Sequence, residues 1–410
     1  MVYHYKSVAT AIIFIFLAIP AHAKSKRIKK VTTTIEKTMV DEPVVIQQQK
    51  SKRQFNVRVL LEEQLLEEHA GWHISSSDGF SLADINDSAK KIALSTKELV
   101  LTTRNGALYV NGKRLSKKHV SIMPASGNLA YNDNTYQGSF LVITKNNKIH
   151  LINSIGLEDY VLSVLCSESW PGWPLEVNKV LAIACRSYAI FMILEAQAQE
   201  RIFHIKNTNA HQTYNGLGKN SHLKEAVDAT QGIFLSHNKK PIIAMFDSCC
   251  GGVIPAKIKG KVDFVKAPYL ARSYPCDFCK RCKLYKWSAS YQRTELEETF
   301  KKAMPKLKRI KDVTVAKKDA AGLVHELSIK SGSGYHTIPG KKVYSLLKDG
   351  VKSFCYTINK KSETIVFEGR GYGHHMGLCQ WGSREMVRDG QSYQEILQFY
   401  YPGTQFMRLV

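Results

Sequence analysis

The clearest hydrophobic pattern in the chain lies between Ile155 and Tyr188, in IGLEDYVLSVLCSESWPGWPLEVNKVLAIACRSY. Leu157, Val161, Val164 and Leu165 recur at helical spacing after Gly156, with Glu158 and Asp159 in the opening turn, where the helix dipole favours acids. Pro171 forbids continuation, so this helix is predicted to end near Glu168. Pro174 then opens a second helix at a position where its missing N–H costs nothing, and good helix formers run from Leu175 to Glu200. Ala182, Ala184, Cys185 and Ala189 leave room for a neighbouring element to approach closely. The pattern predicts two helices folded about a Trp-Pro turn, with Glu168 at the bend.

Upstream the period changes. From Phe55 the chain reads as short strands, FNVRVLL, KIALS, LVLTT, ALYVNG, HVSIM and SFLVITKNNKIHLIN, several of them separated by Gly, Asn or Asp. Ser139 to Asn153 is predicted to be a hairpin around Asn146-Asn147. Downstream, a helix is expected over Thr294 to Ala303 among β-like segments with Lys-rich turns, and Thr364 to Phe367 reads as a strand running into EGRGYGHHMGLCQWG and a polar helix. The expected class is α+β: a β-rich part, 54–155, leading into a mixed helical and antiparallel-strand core, 156–410.

A chain of 410 residues with 44% hydrophobic residues can bury a sizeable core. Its formal charge of +23 would draw it to polyanions such as nucleic acid, anionic lipid or an acidic wall polymer. The N-terminus narrows that choice. Lys6 precedes an apolar run from Val8 to Ile19, and Ala21-His22-Ala23 supplies small residues of the kind a signal peptidase reads. Twelve apolar residues fall short of the roughly 20 that span a bilayer. Residues 1–23 are therefore expected to be a signal peptide, with an uncleaved membrane anchor as the alternative, and 24–53 a solvated basic linker. Export to the periplasm or cell envelope argues against nucleic acid as the partner of the basic surface.

Glu168 sits on a rigid element beside Trp170 and Trp173. Apolar rings next to a carboxyl group disfavour its charged form, the condition a general acid near neutrality requires; the bland alternative is a solvated helix-end acid. Arg186 interrupts a run of small and apolar residues, but in a simple hairpin it lies roughly 18 Å up the second helix, too far to infer contact with the acid. Cys166, two residues before Glu168, admits a thiol nucleophile, against the commoner role of cysteine as a small buried apolar residue.

Nine cysteines are an odd number for an exported chain. Cys276, Cys279 and Cys282 form C-x-x-C-x-x-C, a spacing that suits tetrahedral zinc, with Cys249, Cys250 or a loop histidine as fourth ligand and Cys250 the preferred candidate. A disulfide, for example to Cys250, and free thiols are the alternatives. Such a thiolate-rich zinc would be closed and structural. In the glycine segment, G-x-G-x-x-G fails on count, because His374 or Met376 occupies the sixth position, so a nicotinamide or flavin site is excluded and no organic cofactor is expected. Gly369, Gly371, Gly373 and Gly377 instead permit crowded backbone near a ligand, with His374, His375 and Gln380 as candidate donors. Histidines scattered over 204–222 read mainly as solvent-exposed loop residues.

These segments together resemble the SpoIID/LytB family, named for stage II sporulation protein D and for an amidase enhancer. Its pattern E-x-Y-L-x-G-V-x-x-E-M-P, then P-L-E-A-L-K-A-Q-A-V-A-A-R-T-Y-A, is matched at Glu158, Tyr160, Val164, Glu168, Pro174, Leu175, Glu176, Lys179, Ala182, Ala184, Arg186, Tyr188 and Ala189. HQTYNG, AVDATQGIFL, KKPIIAMFDSCCGG, the glycine segment and the ending DGQSYQEILQFYYPGT resemble later family motifs in order. Departures include Ser169-Trp170 for Met-Pro, Asp247 for a histidine and His375 for a glycine. The resemblance implies a SpoIID-type core with a substrate cleft and a lytic transglycosylase that cuts peptidoglycan glycan strands. Glu168 would be its catalytic acid, and Arg186, Tyr188, Trp170, His374 and Gln380 would contact substrate, with structural pairing the alternative role for Arg186. It also implies a zinc near the cleft, as some members hold, and a cell-wall amidase as partner; a non-catalytic amidase activator is the alternative role.

Overall fold

Short alternating strands open the structure, and their register puts one apolar face inward. The chain is described by a computed structural model at Val44–Val45 and over residues 55–409, apart from 68–70, 86, 117–118, 209–210, 219 and 261. The expected leader, and the expected linker other than Val44–Val45, lie outside the described residues. A seven-stranded sheet runs in the order Ile205–Lys206, Asn56–Leu65, Lys148–Gly156, Ser139–Lys145, His119–Pro124, Phe80–Asp84, Asp87–Leu94. A six-stranded sheet runs Asn134–Tyr136, Leu129–Tyr131, Trp72–Ser76, Glu98–Arg104, Ala107–Val110, Lys113–Arg114. Alternate residues of both, among them Val57, Phe80, Ile122 and Phe140 from one and Trp72, Ile74, Leu99 and Leu101 from the other, meet in a single buried cluster. The predicted hairpin forms as expected, with Asn146 and Asn147 both at positive φ, 54° and 56°, the turn geometry asparagine tolerates.

The same cluster continues into the helices. Helix α1 spans Leu157–Glu168 and α2 spans Leu175–Ala198. Among the described residues only α2 is long and apolar enough to cross a membrane, and 83% of its most apolar stretch is buried inside the protein. It earns that composition as a central core helix, packed by α1, by α3 (Ser221–Ala229) and by the strand Ile233–His237. That strand belongs to a four-stranded sheet ordered Val44–Val45, Gln405–Arg408, Ile233–His237, Lys240–Pro241.

A second core lies in the stretch where the sequence showed no chemistry. Strands Lys286–Gln292, Tyr356–Lys361 and Thr364–Arg370 form one small sheet, and Ile310–Lys318, Val324–Ser331 and Gly334–Pro339 another. With α4 (Arg293–Lys301) and α5 (Gly340–Leu346) they bury Leu296, Phe300, Leu327, Ile329, Ile365 and Phe367. The chain enters and leaves along paired strands, Lys286 opposite Arg370. It then passes through the glycine segment into α6 (Gln380–Arg388) and α7 (Tyr393–Tyr400), both packed on α2. The molecule is α+β, as the patterning implied.

One buried histidine gives this fold a pH dependence. His204 lies beside the short edge strand Ile205–Lys206; its Nδ1 accepts from the Arg58 main-chain N–H at 3.0 Å, and the Arg58 guanidinium lies against the ring. Burial, then the charges of Arg58 and Arg201, lowers its pKa from 6.5 to about 3. The folded state thus binds fewer protons here than the unfolded chain at mildly acid pH, and stability that is full above 6.5 falls as pH drops toward about 3. His204→Gln is expected to flatten that dependence, read as urea midpoints across the same pH range.

Candidate active site

The bend between α1 and α2 holds the candidate acid. Ser169 closes α1 in extended conformation, its N–H donating to the Leu165 carbonyl, and Pro174 caps α2, so Glu168 is the last helical residue before the turn. Glu168 is half-buried. Its Oε1 accepts from the main-chain N–H of Thr213 at 2.9 Å, and its main-chain carbonyl accepts from Gln380 Nε2 at 3.3 Å. Two chain segments remote in sequence therefore fix the acid, one through its carboxylate and one through its backbone.

The first is the histidine loop, which the sequence assigned mainly to solvent. Its residues line the helix pair instead. Tyr160 donates to Gln212 Oε1 at 2.9 Å, Tyr188 and His211 Nδ1 are 3.1 Å apart, and Tyr214 stacks on Tyr160 with centroids at 5.5 Å. Burial pushes the Tyr188 hydroxyl up to about 12 and lowers the His211 pKa, so this pair is neutral near pH 7. Thr213 was not a predicted site residue, since a main-chain donor leaves no side-chain signature. The HQTYNG resemblance was the one signal that could have found it.

The second segment is the glycine loop. Phe246–Asp247 pairs in parallel with Leu378–Cys379, which delivers Gln380 to Glu168. Gly377 has φ of 69°, and a Cβ there would sit 2.0 Å from the Met245 carbonyl oxygen; at Gly373, with φ of 128°, it would sit 2.4 Å from Asp247 Cβ. Only glycine fits either place. His375, the departure from the family glycine, is buried at φ 70°, its N–H donating to Asp247 Oδ2 at 2.6 Å and its Nδ1 2.9 Å from the Cys250 carbonyl. Burial pushes the Asp247 carboxyl well above its ordinary range. His374 is partly exposed, with Nδ1 accepting from Met376 N–H at 3.1 Å.

Around the bend the indoles gather. Trp170 is 39% exposed and lies against Trp173 and Trp381, with centroids at 6.4 Å and 5.7 Å. Beside them Cys166, Trp170, Trp173, Asn178, Asn220 and His222 line a cavity of about 300 Å³. An exposed aromatic face beside amide and imidazole groups suits a sugar ring, whose axial C–H groups pack on the ring while its hydroxyls bond at the rim.

Arg186 does not join this site, and the expectation that it contacts substrate is corrected. It is fully buried in α2, and its Nε and Nη2 bond the Glu158 carboxylate at 2.9 and 2.5 Å while Nη1 donates to the Ile233 carbonyl at 3.0 Å. A guanidinium placed among apolar side chains must be paired where it is buried.

The expected cysteine ligand set also changes. The four Sγ atoms that lie within 4.8 Å of one another are those of Cys250, Cys276, Cys279 and Cys379, all buried. Cys282 stands outside this set, because the single 3-10 turn Phe278–Arg281 ends at Cys282 in extended backbone and its Sγ accepts from Leu284 N–H at 3.2 Å. Cys379, the N-cap of α6, was not among the expected ligands.

The SpoIID family, described as stage II sporulation protein, matches residues 145–237, which include α1, the bend and α2. A domain of unknown function, DUF8618, matches residues 268–377, which contain the second core. An uncharacterized protein of Brachyspira hyodysenteriae is 28% identical over 348 residues, 84% of this chain and 92% of its own. Stage II sporulation protein D of Bacillus subtilis is 27% identical over 269 residues, 62% of this chain and 75% of its own. The amidase enhancer of the same organism is 25% identical over 287 residues, 59% of this chain but 39% of its own. Residues 145–237 thus belong to the SpoIID family, and the relatives named stage II sporulation protein D and amidase enhancer support the SpoIID/LytB assignment.

Because the Arg186–Glu158 pair ties α1 to α2 below the bend, its loss should be felt as instability. Glu158→Gln leaves a buried cation half-compensated and is expected to cost about 2 to 3 kcal/mol, below the full penalty for a buried pair because Glu158 is partly exposed. Urea denaturation with an unchanged slope is the measurement.

Proposed function

We propose that this protein is a peptidoglycan lytic transglycosylase with Glu168 as its catalytic acid. The observation that supports it most is the seat of Glu168: a carboxyl group at a helix end, oriented by the Thr213 N–H, beside an exposed indole and a cavity of sugar-ring size. On this reading Glu168 protonates the oxygen bridging N-acetylmuramic acid and N-acetylglucosamine as the C1–O bond breaks. The resulting carboxylate then takes the proton of the muramoyl C6 hydroxyl, whose oxygen bonds C1 to close the 1,6-anhydro ring. No water is consumed, and the acid ends as it began.

A single carboxyl group is sufficient for that chemistry, where hydrolytic glycosidases need a second one to activate water or to attack. Asp247 is a poor candidate for such a partner, since it is buried under the glycine loop and its burial favours the protonated form. Intramolecular attack by the C6 hydroxyl draws on a high effective molarity instead. Gln380 acts as a positioning residue through the Glu168 backbone, and Trp170 would carry a sugar face. Tyr188 is buried against His211, on the loop that carries Thr213, and His374 is partly exposed on the glycine loop that leads to Gln380.

The relative named amidase enhancer supports a second reading, in which the same surface binds glycan and stimulates a separate N-acetylmuramoyl-L-alanine amidase. Under either reading the polymer acted on lies outside the cytoplasm, where the leader expected over residues 1–23 would send the chain.

Amidase-stripped glycan strands incubated with the full-length protein are expected to yield 1,6-anhydro-muramoyl ends by mass spectrometry. Glu168→Gln should lower that yield by 10²-fold or more, the usual scale for loss of a general acid, while co-sedimentation with the strands persists. Reducing ends would indicate hydrolysis, and binding without cleavage would favour the amidase activator.

A further inference from the structure

Six cysteines converge behind the glycine loop from three separate stretches: Cys249 and Cys250 after the strand Phe246–Asp247, Cys276, Cys279 and Cys282 around a short 3-10 turn, and Cys379 at the N-cap of α6. Four thiols close to one another in a core have three outcomes: disulfides, inert thiols or a metal. The geometry separates them. A zinc ion with Zn–S bonds of about 2.3 Å demands sulfurs about 3.8 Å apart, on the edges of a tetrahedron. Cys250 and Cys279 Sγ are 3.7 Å apart, and all four lie within 4.8 Å. A disulfide needs about 2.05 Å, and no cysteine in the chain is disulfide-bonded.

The surroundings carry a second, independent signal, which is charge. Arg272 is fully buried next to this cluster. Its guanidinium lies 5.7 Å from the centroid of Tyr400, whose hydroxyl is 3.1 Å from Cys276 Sγ. Its protein partners are the carbonyls of Tyr274 and Val253 and the rings of Tyr274, Phe399 and Tyr400; among the described residues no carboxylate lies within 4.0 Å of it, and Asp247, the carboxyl group whose charge reaches it, is buried and pushed toward its protonated form. A buried cation requires a compensating anion. Neutral thiols or disulfides provide none, whereas four thiolates around a divalent ion carry a net charge of −2. The acceptor pattern agrees: Cys379 Sγ receives the N–H groups of Cys250 at 3.2 Å and Gly382 at 3.3 Å, as a sulfur bearing negative charge would.

We propose that Cys250, Cys276, Cys279 and Cys379 hold one tetrahedral zinc ion as four thiolates, with Cys282 outside the ligand set, and that this centre locks the start of α6 against the Glu168 bend. Binding releases the thiol protons to solvent and involves no redox step. The site has no open position, so its role is structural. What it secures is the next two residues of the chain: Gln380, which holds the Glu168 carbonyl, and Trp381, which packs on Trp170 and Trp173. This inference does not depend on which reaction Glu168 performs.

The test is metal content and spectroscopy on the full-length protein purified under reducing conditions. Elemental analysis is expected to give one zinc per chain, and exchange with Co(II) the visible bands of a tetrahedral cobalt centre with the charge-transfer intensity of four thiolates. Cys282→Ser is expected to keep the metal and the spectrum, and Cys379→Ser to lose the metal. Chelation should alter tryptophan emission, because three of the five tryptophans pack at the joint the metal secures. A folded wild-type chain without stoichiometric zinc, or a metal retained in Cys379→Ser and lost in Cys282→Ser, overturns the proposal. If Cys379→Ser does not fold, the wild-type cobalt spectrum decides, and an intensity below four thiolates overturns the ligand set.

Discussion

A guanidinium with no access to water sets the terms for the part of this molecule that carries Glu168. Arg186 lies in the middle of a helix that is otherwise apolar, and its charge is met by Glu158 at the start of the preceding helix and by carbonyls around Ile233. That arrangement requires α1 and α2 to run side by side, with α3 and the strand Ile233–His237 closing over them. The bend at their far end is then held between fixed helices, and Glu168 inherits its position from a charge pair well away from it. Glu158 also accepts from the Gly232 N–H at 3.1 Å, so one carboxylate joins three elements.

Around this frame the site is assembled from long-range pieces. Thr213 reaches Glu168 from the loop that follows α2, and Gln380 reaches it from a segment more than two hundred residues away in sequence. The inserted module contributes to that reach. Its last strand, Thr364–Arg370, runs directly into the glycine loop, so the separate core of Leu327, Ile329 and Phe367 serves as an anchor for a loop in the other core.

What could be read from the sequence was what local forces decide. The two helices, their ends at Glu168 and Leu175, the Asn146-Asn147 hairpin and the helix near residue 294 all followed from periodicity, proline placement and turn chemistry. What could not be read depends on contacts across the chain. Arg186 looked like a residue awaiting a ligand because its partner Glu158 appeared to be an ordinary first-turn acid. The histidine loop looked solvated because polar loop residues carry no period that reveals what they cover. Spacing alone favoured Cys282 in the cysteine cluster; the parallel pairing of Asp247 with Cys379 is what brings a more distant sulfur into place.

The wide separation of these pieces bears on when the protein becomes competent. A nascent chain presents Glu168 212 residues before Gln380, which opens the segment that supports its backbone and completes the indole cluster. The helix pair could form early from nearby contacts, but Gln380 and Trp381 must find it after the whole inserted module has been made, a slow kind of closure. Truncated or incompletely folded chains would therefore carry the acid without its cleft. Whatever that site acts on, the delay keeps a partly made chain from presenting it complete.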